Sequence, residues 1–214
     1  MDNRADYFLL LADLKRSTDL DAAGSARLFG RLNQALTDWS DACSGDLLAG
    51  LDLNYGDEFA GLFVRPNRIY EVVDGVRDAL RGYGRFRVAI ARGRIGAVSE
   101  DTSQMGGPVF KLANDALSSL KSRGQFAQWV LGNPLIDETL SVLTEAGNTL
   151  REDMTDYQYR VFQHLRDGTS QREIAAQLGK FEQSVSDAAK RGHADLALQI
   201  DQAIDAHLRS MEFD

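Results

Sequence analysis

The chain has 214 residues, a formal net charge of −8 and 43% hydrophobic residues. That balance excludes a protein that coats nucleic acid or membrane through bulk positive charge, and it excludes a disordered tail. The length allows one large or two small domains with a real core, and the single cysteine, Cys43, excludes an internal disulfide and a cysteine-based zinc site.

Taken in chain order, Tyr7–Ala12 reads as a buried strand. Its apolar run Phe8–Ala12 is too short for a membrane span or a signal-peptide core, so a cytoplasmic protein is expected. The strand exits through Asp13 and Leu14 into a polar loop, Lys15-Arg16-Ser17-Thr18. Leu28, Leu32, Leu36 and Trp39 then recur at helical spacing between Ala22 and Trp39. Leu47–Leu53 and Phe59–Val64 flank Asn54-Tyr55-Gly56-Asp57 and predict a hairpin turning at the glycine. Pro66 can open a helix whose inner face carries Ile69, Val72, Val73, Val76 and Leu80. Arg85–Arg92 alternates, with Phe86, Val88 and Ile90 on one side and Arg87, Ala89 and Ala91 on the other; Arg94–Val98 is expected to be a further strand. After the loop Ser99–Met105 and Gly106-Gly107-Pro108, a helix is expected over Val109–Lys121. This β-α-β-β-α-β-β-α order predicts an α+β fold, a ferredoxin-like sheet with its helices on one face.

No strand is expected beyond Pro134. The reading divides the chain into an α+β domain over 1–130, a connecting helix over 131–153 with Leu135, Leu140, Leu143 and Leu150 as its apolar positions, and an all-α domain over 154–214. In the last, Thr155 is a helix N-cap, Thr169 or Ser170 caps the second helix, Glu173 has capping-box spacing from Ser170, and Gly179 ends that helix. A third helix covers Glu182–Arg191, and Ala194–Leu208 is amphipathic through Leu196, Leu198, Ile200, Ile204 and Leu208. His164, His193 and His207 have no metal-ligand spacing.

Two constellations carry chemistry. Asp13 at a strand exit and Asp57 in a hairpin turn lie some forty residues apart. At one sheet edge they would form a carboxylate pair for Mg2+ or Mn2+ holding a triphosphate, with Lys15, Arg16, Ser17 and Thr18 beside the phosphates. Alone, Asp13 reads better as a cap of the following turn and Asp57 as a former of the hairpin; together, in this strand order, they favour the site. In the second constellation, small Ala175, Gly179 four residues on and Val185 six further have helix-turn-helix spacing. A DNA-facing third helix would present Gln183, Ser184, Asp187, Lys190 and Arg191, with Arg172 toward a phosphate. Residues 155–193 hold six Lys/Arg against five acids, weak electrostatic support for that role, and Phe181 stands where a small capping residue is usual.

The ordered segments ADLKRST, YGDEFAGLF, RVAIARGRIG and GGPVFKLANDAL resemble the SatD family, which in turn resembles class III nucleotide cyclases and, more distantly, GGDEF diguanylate cyclases. The resemblance covers about residues 7–120 and implies metal ligation by Asp13 and Asp57. It also implies a base-reading lysine where this chain has Leu53, and an asparagine and arginine for the transition state where it has Lys111 and Asp115. Gln104 falls at the base-selecting position, and Tyr55 replaces the first glycine of the GGDEF hairpin. Lys111 could still meet a phosphate, but an aspartate cannot donate hydrogen bonds to a developing phosphoryl anion. TSQREIAAQLGKFEQSVS resembles the helix-turn-helix of LuxR-type regulators and sigma-factor region four. The combined expectation is a homodimeric regulator that binds specific double-stranded DNA and carries a degenerate cyclase-like domain, which senses a metal-bound nucleotide or serves as a dimer scaffold. The alternatives are a divergent metal-dependent nucleotide cyclase and a protein-interaction scaffold.

Overall fold

A strand buried on both faces reads as a continuous apolar run and must be covered on both sides. The first strand, β1 (Tyr7–Lys15), is of this kind, with every residue from Phe8 to Leu14 buried. The computed structural model describes residues 6–15, 20–53, 56–96 and 106–211. Those residues up to Ser141 form one compact unit and Val142–Met211 a second.

In the first unit β1 is followed by α1 (Ala22–Ala42), β2 (Leu47–Leu53), β3 (Glu58–Phe63), α2 (Ile69–Leu80), β4 (Arg85–Gly93), α3 (Pro108–Arg123) and β5 (Ala127–Val130). The sheet order is β2-β3-β1-β4-β5, with β1 antiparallel to both neighbours and β5 parallel to β4. Leu9, Leu11, Ala60, Leu62, Ala89 and Ala91 face α3 and pack on its Val109, Ala113, Ala116, Leu117 and Leu120. The alternate set, including Phe59 and Phe86, faces the side of α1 and α2. There Leu28 of α1 lies against Gly84, and Arg77 of α2 sits 5.8 Å above Phe126, which packs edge-on to Phe86.

Two expectations need correction. The helices do not share one face: α3 lies opposite α1 and α2, because the doubly buried β1 needs a cover on each side. The predicted strand over Arg94–Val98 is also not found. Arg94–Gly96 is not strand, and the remainder falls outside the described residues, as do most of the neighbouring loop positions, Gln104 among them. A fifth strand instead follows α3, with buried Ala127 and Trp129 alternating with Gln128 and Val130. A parallel neighbour requires a crossover, and α3 provides it. Gly107, with φ 129°, lets α3 begin close to the end of β4; a Cβ there would lie 2.5 Å from the Gly96 nitrogen.

The helix α4 (Pro134–Asp153) buries Leu140 and half-buries Leu143 and Leu150, while Leu135 is exposed. Beyond it come α5 (Asp156–Arg166), α6 (Gln171–Leu178), α7 (Glu182–Arg191) and α8 (Ala194–Ser210). Capping boxes open α5 through Thr155 and Gln158, and α6 through Ser170 and Glu173. Gly179, at φ 61°, ends α6 in a Schellman turn, its own amide donating to Ala176 O and the Lys180 amide to Ala175 O. Tyr159, Phe162, Ile174, Ala175, Val185 and Ala189 form the core of this second unit. On α8, Ala197, Ile200, Ile204 and Leu208 are buried, whereas Leu196 is exposed.

Arg151, 1% exposed, ties the unit together. Its Nη1 donates to Gly147 O at 2.9 Å, its Nη2 pairs with Asp201 of α8, and the guanidinium lies 4.7 Å from the Phe162 ring centroid. Arg151→Met removes a buried charged partner of Asp201 and is expected to lower unfolding stability by about 3 kcal/mol. Urea denaturation of the full chain measures this, and a loss below about 1 kcal/mol would show that the pair is dispensable.

Candidate functional site

Register decides what surrounds Asp13. On β1 it stands opposite Glu58 of β3 and Arg87 of β4, and directly opposed residues project to the same face. That face is the one α3 covers, and the last turn of α3 delivers Lys121. Its Nζ lies 3.1 Å from Asp13 Oδ1 and 3.9 Å from Glu58 Oε1. Arg87 Nη1 is 3.5 Å from Asp13 Oδ2. Asp13 is 6% exposed, so two cationic partners offset the cost of burying its charge. The hairpin is held against the end of β1 by the Leu14 amide, which donates to Asp57 O at 2.9 Å. The backbone thus brings positions 13, 57 and 58 to one end of the central strands.

Lys15, half-buried, ends β1 beside them. Arg16, Ser17 and Thr18, expected near phosphates, lie outside the described residues, as does Tyr55. Leu53 is the last residue of β2, opposite Phe59. Lys111 is exposed in the first turn of α3, ten residues before Lys121, which places it about 15 Å away along the helix axis. Within one chain it is therefore not brought to Asp13, nor is Asp115, also exposed. Sequence reasoning missed Lys121, Arg87 and Glu58. One signal was available: Arg87 shares a strand face with Ala89 and Ala91, and an arginine in line with buried alanines needs an acidic partner.

Among the described residues no group of three or more His, Cys, Asp or Glu is placed to hold a metal ion. The carboxylates of Asp13 and Glu58 are the oxygen donors at this strand end, and both face the Lys121 ammonium. Carboxylate oxygens suit Mg2+ or Mn2+, whose remaining ligands are normally water or substrate phosphate.

In the second unit Arg172, Gln183, Lys190 and Arg191 are exposed, while Ser184 and Asp187 are half-buried. Gln183 Nε2 donates to Asp187 Oδ1 at 3.0 Å, joining two of the residues expected to face DNA. Phe181 precedes α7 without a side-chain cap and is 83% exposed.

No protein-family model matches the chain, and no curated protein matches it. Among solved structures, it is similar to the catalytic core of a rhodopsin-guanylyl cyclase with converted specificity, in complex with ATPαS. The identity is 13% and the TM-score 0.40, over 54% of this chain and 73% of that one. A guanylyl cyclase gives 20% identity and a TM-score of 0.38 over 54% and 71% of the two chains. A bacterial light-regulated adenylyl cyclase gives 9% and 0.40 over 58% and 42%. These structure neighbours are nucleotide cyclases, and at such overlaps no residue role transfers from them.

The α6 capping box yields a pH dependence. Hydrogen bonds from the Ser170 hydroxyl and amide hold the Glu173 carboxyl below its ordinary value of 4.5. A depressed folded value means that the stabilisation is present above the unfolded value and is lost as pH falls through the folded one. The Ser170 amide resonance is expected to titrate with a midpoint below 4.5, and to lose that titration in Glu173→Gln. A midpoint at or above 4.5 would remove the box from solution.

Proposed function

We propose that the first unit is a divalent-cation-dependent nucleotide-binding domain of the nucleotide-cyclase type, with Asp13 and Asp57 as its metal ligands and Glu58 beside them. The observation that carries this reading is the Leu14 amide to Asp57 carbonyl bond at 2.9 Å, which holds the hairpin against the strand end where Asp13 and Glu58 stand opposed. The order β2-β3-β1-β4, with α1 and α2 as crossovers on one face, supports a ferredoxin-like core. Bound Mg2+ or Mn2+ would supply charge neutralisation for a triphosphate. Lys15, Arg16, Ser17 and Thr18 are assigned to the phosphates; Lys111, distant from Asp13 within one chain, would meet a phosphate only if a homodimer supplied it from the second copy. Leu53 offers no hydrogen bond to a base, and Asp115 offers none to a developing phosphoryl anion. Binding without ordinary cyclisation is therefore the activity assigned.

Calorimetric titration of each nucleoside triphosphate with Mn2+ tests this, with chromatography of the products. Saturable, Mn2+-dependent binding is expected, weakened at least about tenfold in Asp57→Ala and in the isosteric Asp13→Asn, with the triphosphate recovered intact. Unchanged binding in both variants rejects the site. A cyclic product abolished by Asp57→Ala makes the protein a divergent cyclase.

For the second unit we propose contact with double-stranded DNA. It is favoured by the Schellman turn that leads into α7 and by the exposure of Gln183, Lys190 and Arg191 on that helix. Arg172, Lys190 and Arg191 would face phosphates. Gln183 could pair with adenine only by sharing or releasing its bond to Asp187, and Ser184 lies beside it. Fluorescence anisotropy on a randomised duplex pool should show salt-dependent binding, with the salt slope reduced by about two in Lys190→Gln/Arg191→Gln. Absence of any salt-dependent affinity replaces this reading with a protein-interaction module.

A further inference from the structure

We propose that Lys121 is a tethered cation that occupies the Asp13–Glu58 carboxylates in the resting protein and must swing away before a divalent ion can enter. The inference rests on the cation-binding reading above and adds a regulatory step to that site. Its basis is an asymmetry between the two cations that partner Asp13. Arg87 emerges from β4, inside the sheet, and its side chain is 20% exposed. Lys121 stands in the last turn of α3, near the helix end at Gly124, and its side chain is 44% exposed. The ammonium stands on a long stem whose head can reach water, and leaving the buried Asp13 carboxylate costs enough to hold Lys121 there in most molecules. The guanidinium of Arg87 would stay with Asp13 Oδ2, so the buried carboxylate keeps a partner after Lys121 departs.

The geometry makes Lys121 a competitor of the metal. Its Nζ lies 3.1 Å from Oδ1 of Asp13, a proposed metal ligand, and 3.9 Å from Oε1 of the neighbouring Glu58. Ammonium and metal ion cannot share that position, since both are cations and both require the same lone pairs. The apparent affinity for a metal is then the intrinsic affinity reduced by the fraction of molecules in which Lys121 has left. Metal loading and release of the lysine become one coupled equilibrium, and the freed ammonium would face the phosphates that the ion brings.

Titration of Mn2+ alone, followed by the electron paramagnetic resonance signal of free Mn2+, tests this on the full chain. The wild type is compared with Lys121→Met, Lys121→Arg and Asp13→Asn, and thermal unfolding verifies that each variant is folded. Lys121→Met keeps the stem and removes the charge, so it should tighten Mn2+ binding by about tenfold or more. Lys121→Arg should stay near wild type, and Asp13→Asn should bind least. Equal or weaker binding in Lys121→Met, with binding lost in Asp13→Asn, overturns the gate and leaves the metal site standing. No Mn2+ binding in any of the four proteins overturns both.

Discussion

A carboxylate at the end of a doubly buried strand is the constraint on which the first unit depends. Asp13 continues an apolar run from Phe8 to Ala12, so the packing that buries the run also buries the charge. Water is largely excluded, and the protein has to supply the compensation itself. It does so from two directions, through Arg87 on the adjacent strand and Lys121 on the helix covering that face. The register of β4 against β1 and the length of α3 both serve this requirement. A one-residue slip of β4 would turn Arg87 to the other face, and α3 shorter by one turn would leave Lys121 out of reach.

The same strand explains the layered arrangement. Central position between β3 and β4 removes both edges of β1, and double burial demands helices on both sides. α1 and α2 connect strands across one face, and α3 crosses the other while placing β5 parallel to β4. The candidate site sits where these demands meet: the end of β1, the β2–β3 hairpin, the start of β4 and the last turn of α3. That location gives the carboxylates a rigid frame from the sheet and a movable counter-charge from a helix end.

The second unit is organised differently. Its helices α5, α6 and α7 are short, and isolated helices of such length are marginal in water. Local devices define their ends: two capping boxes, a left-handed glycine and the i, i+4 bond between Gln183 and Asp187. Arg151 then adds a long-range tie, joining α4 to α8 and resting on Phe162 of α5.

Local signals in the sequence determined much of this protein. The starts of α5 and α6 follow from Thr155 and Ser170, the end of α6 from Gly179, and the hairpin from the glycine between two apolar runs, because each depends on hydrogen bonds or dihedral angles within a few residues. Asp13 at a strand exit and Asp57 at a turn were each legible from such local signals, whereas their approach at one strand end rests on the bond from the Leu14 amide to the Asp57 carbonyl in the folded chain. β5 was not legible, since four residues carry too little periodicity to distinguish a strand from a loop. Only the tertiary structure decided that α3 faces away from α1 and α2, that Glu58 and Arg87 stand opposite Asp13, and that Lys121 bridges two carboxylates. Those facts depend on strand register and on which face a crossover helix covers, and both are set by burying apolar surface over long sequence separations, a choice that no short stretch of the chain contains.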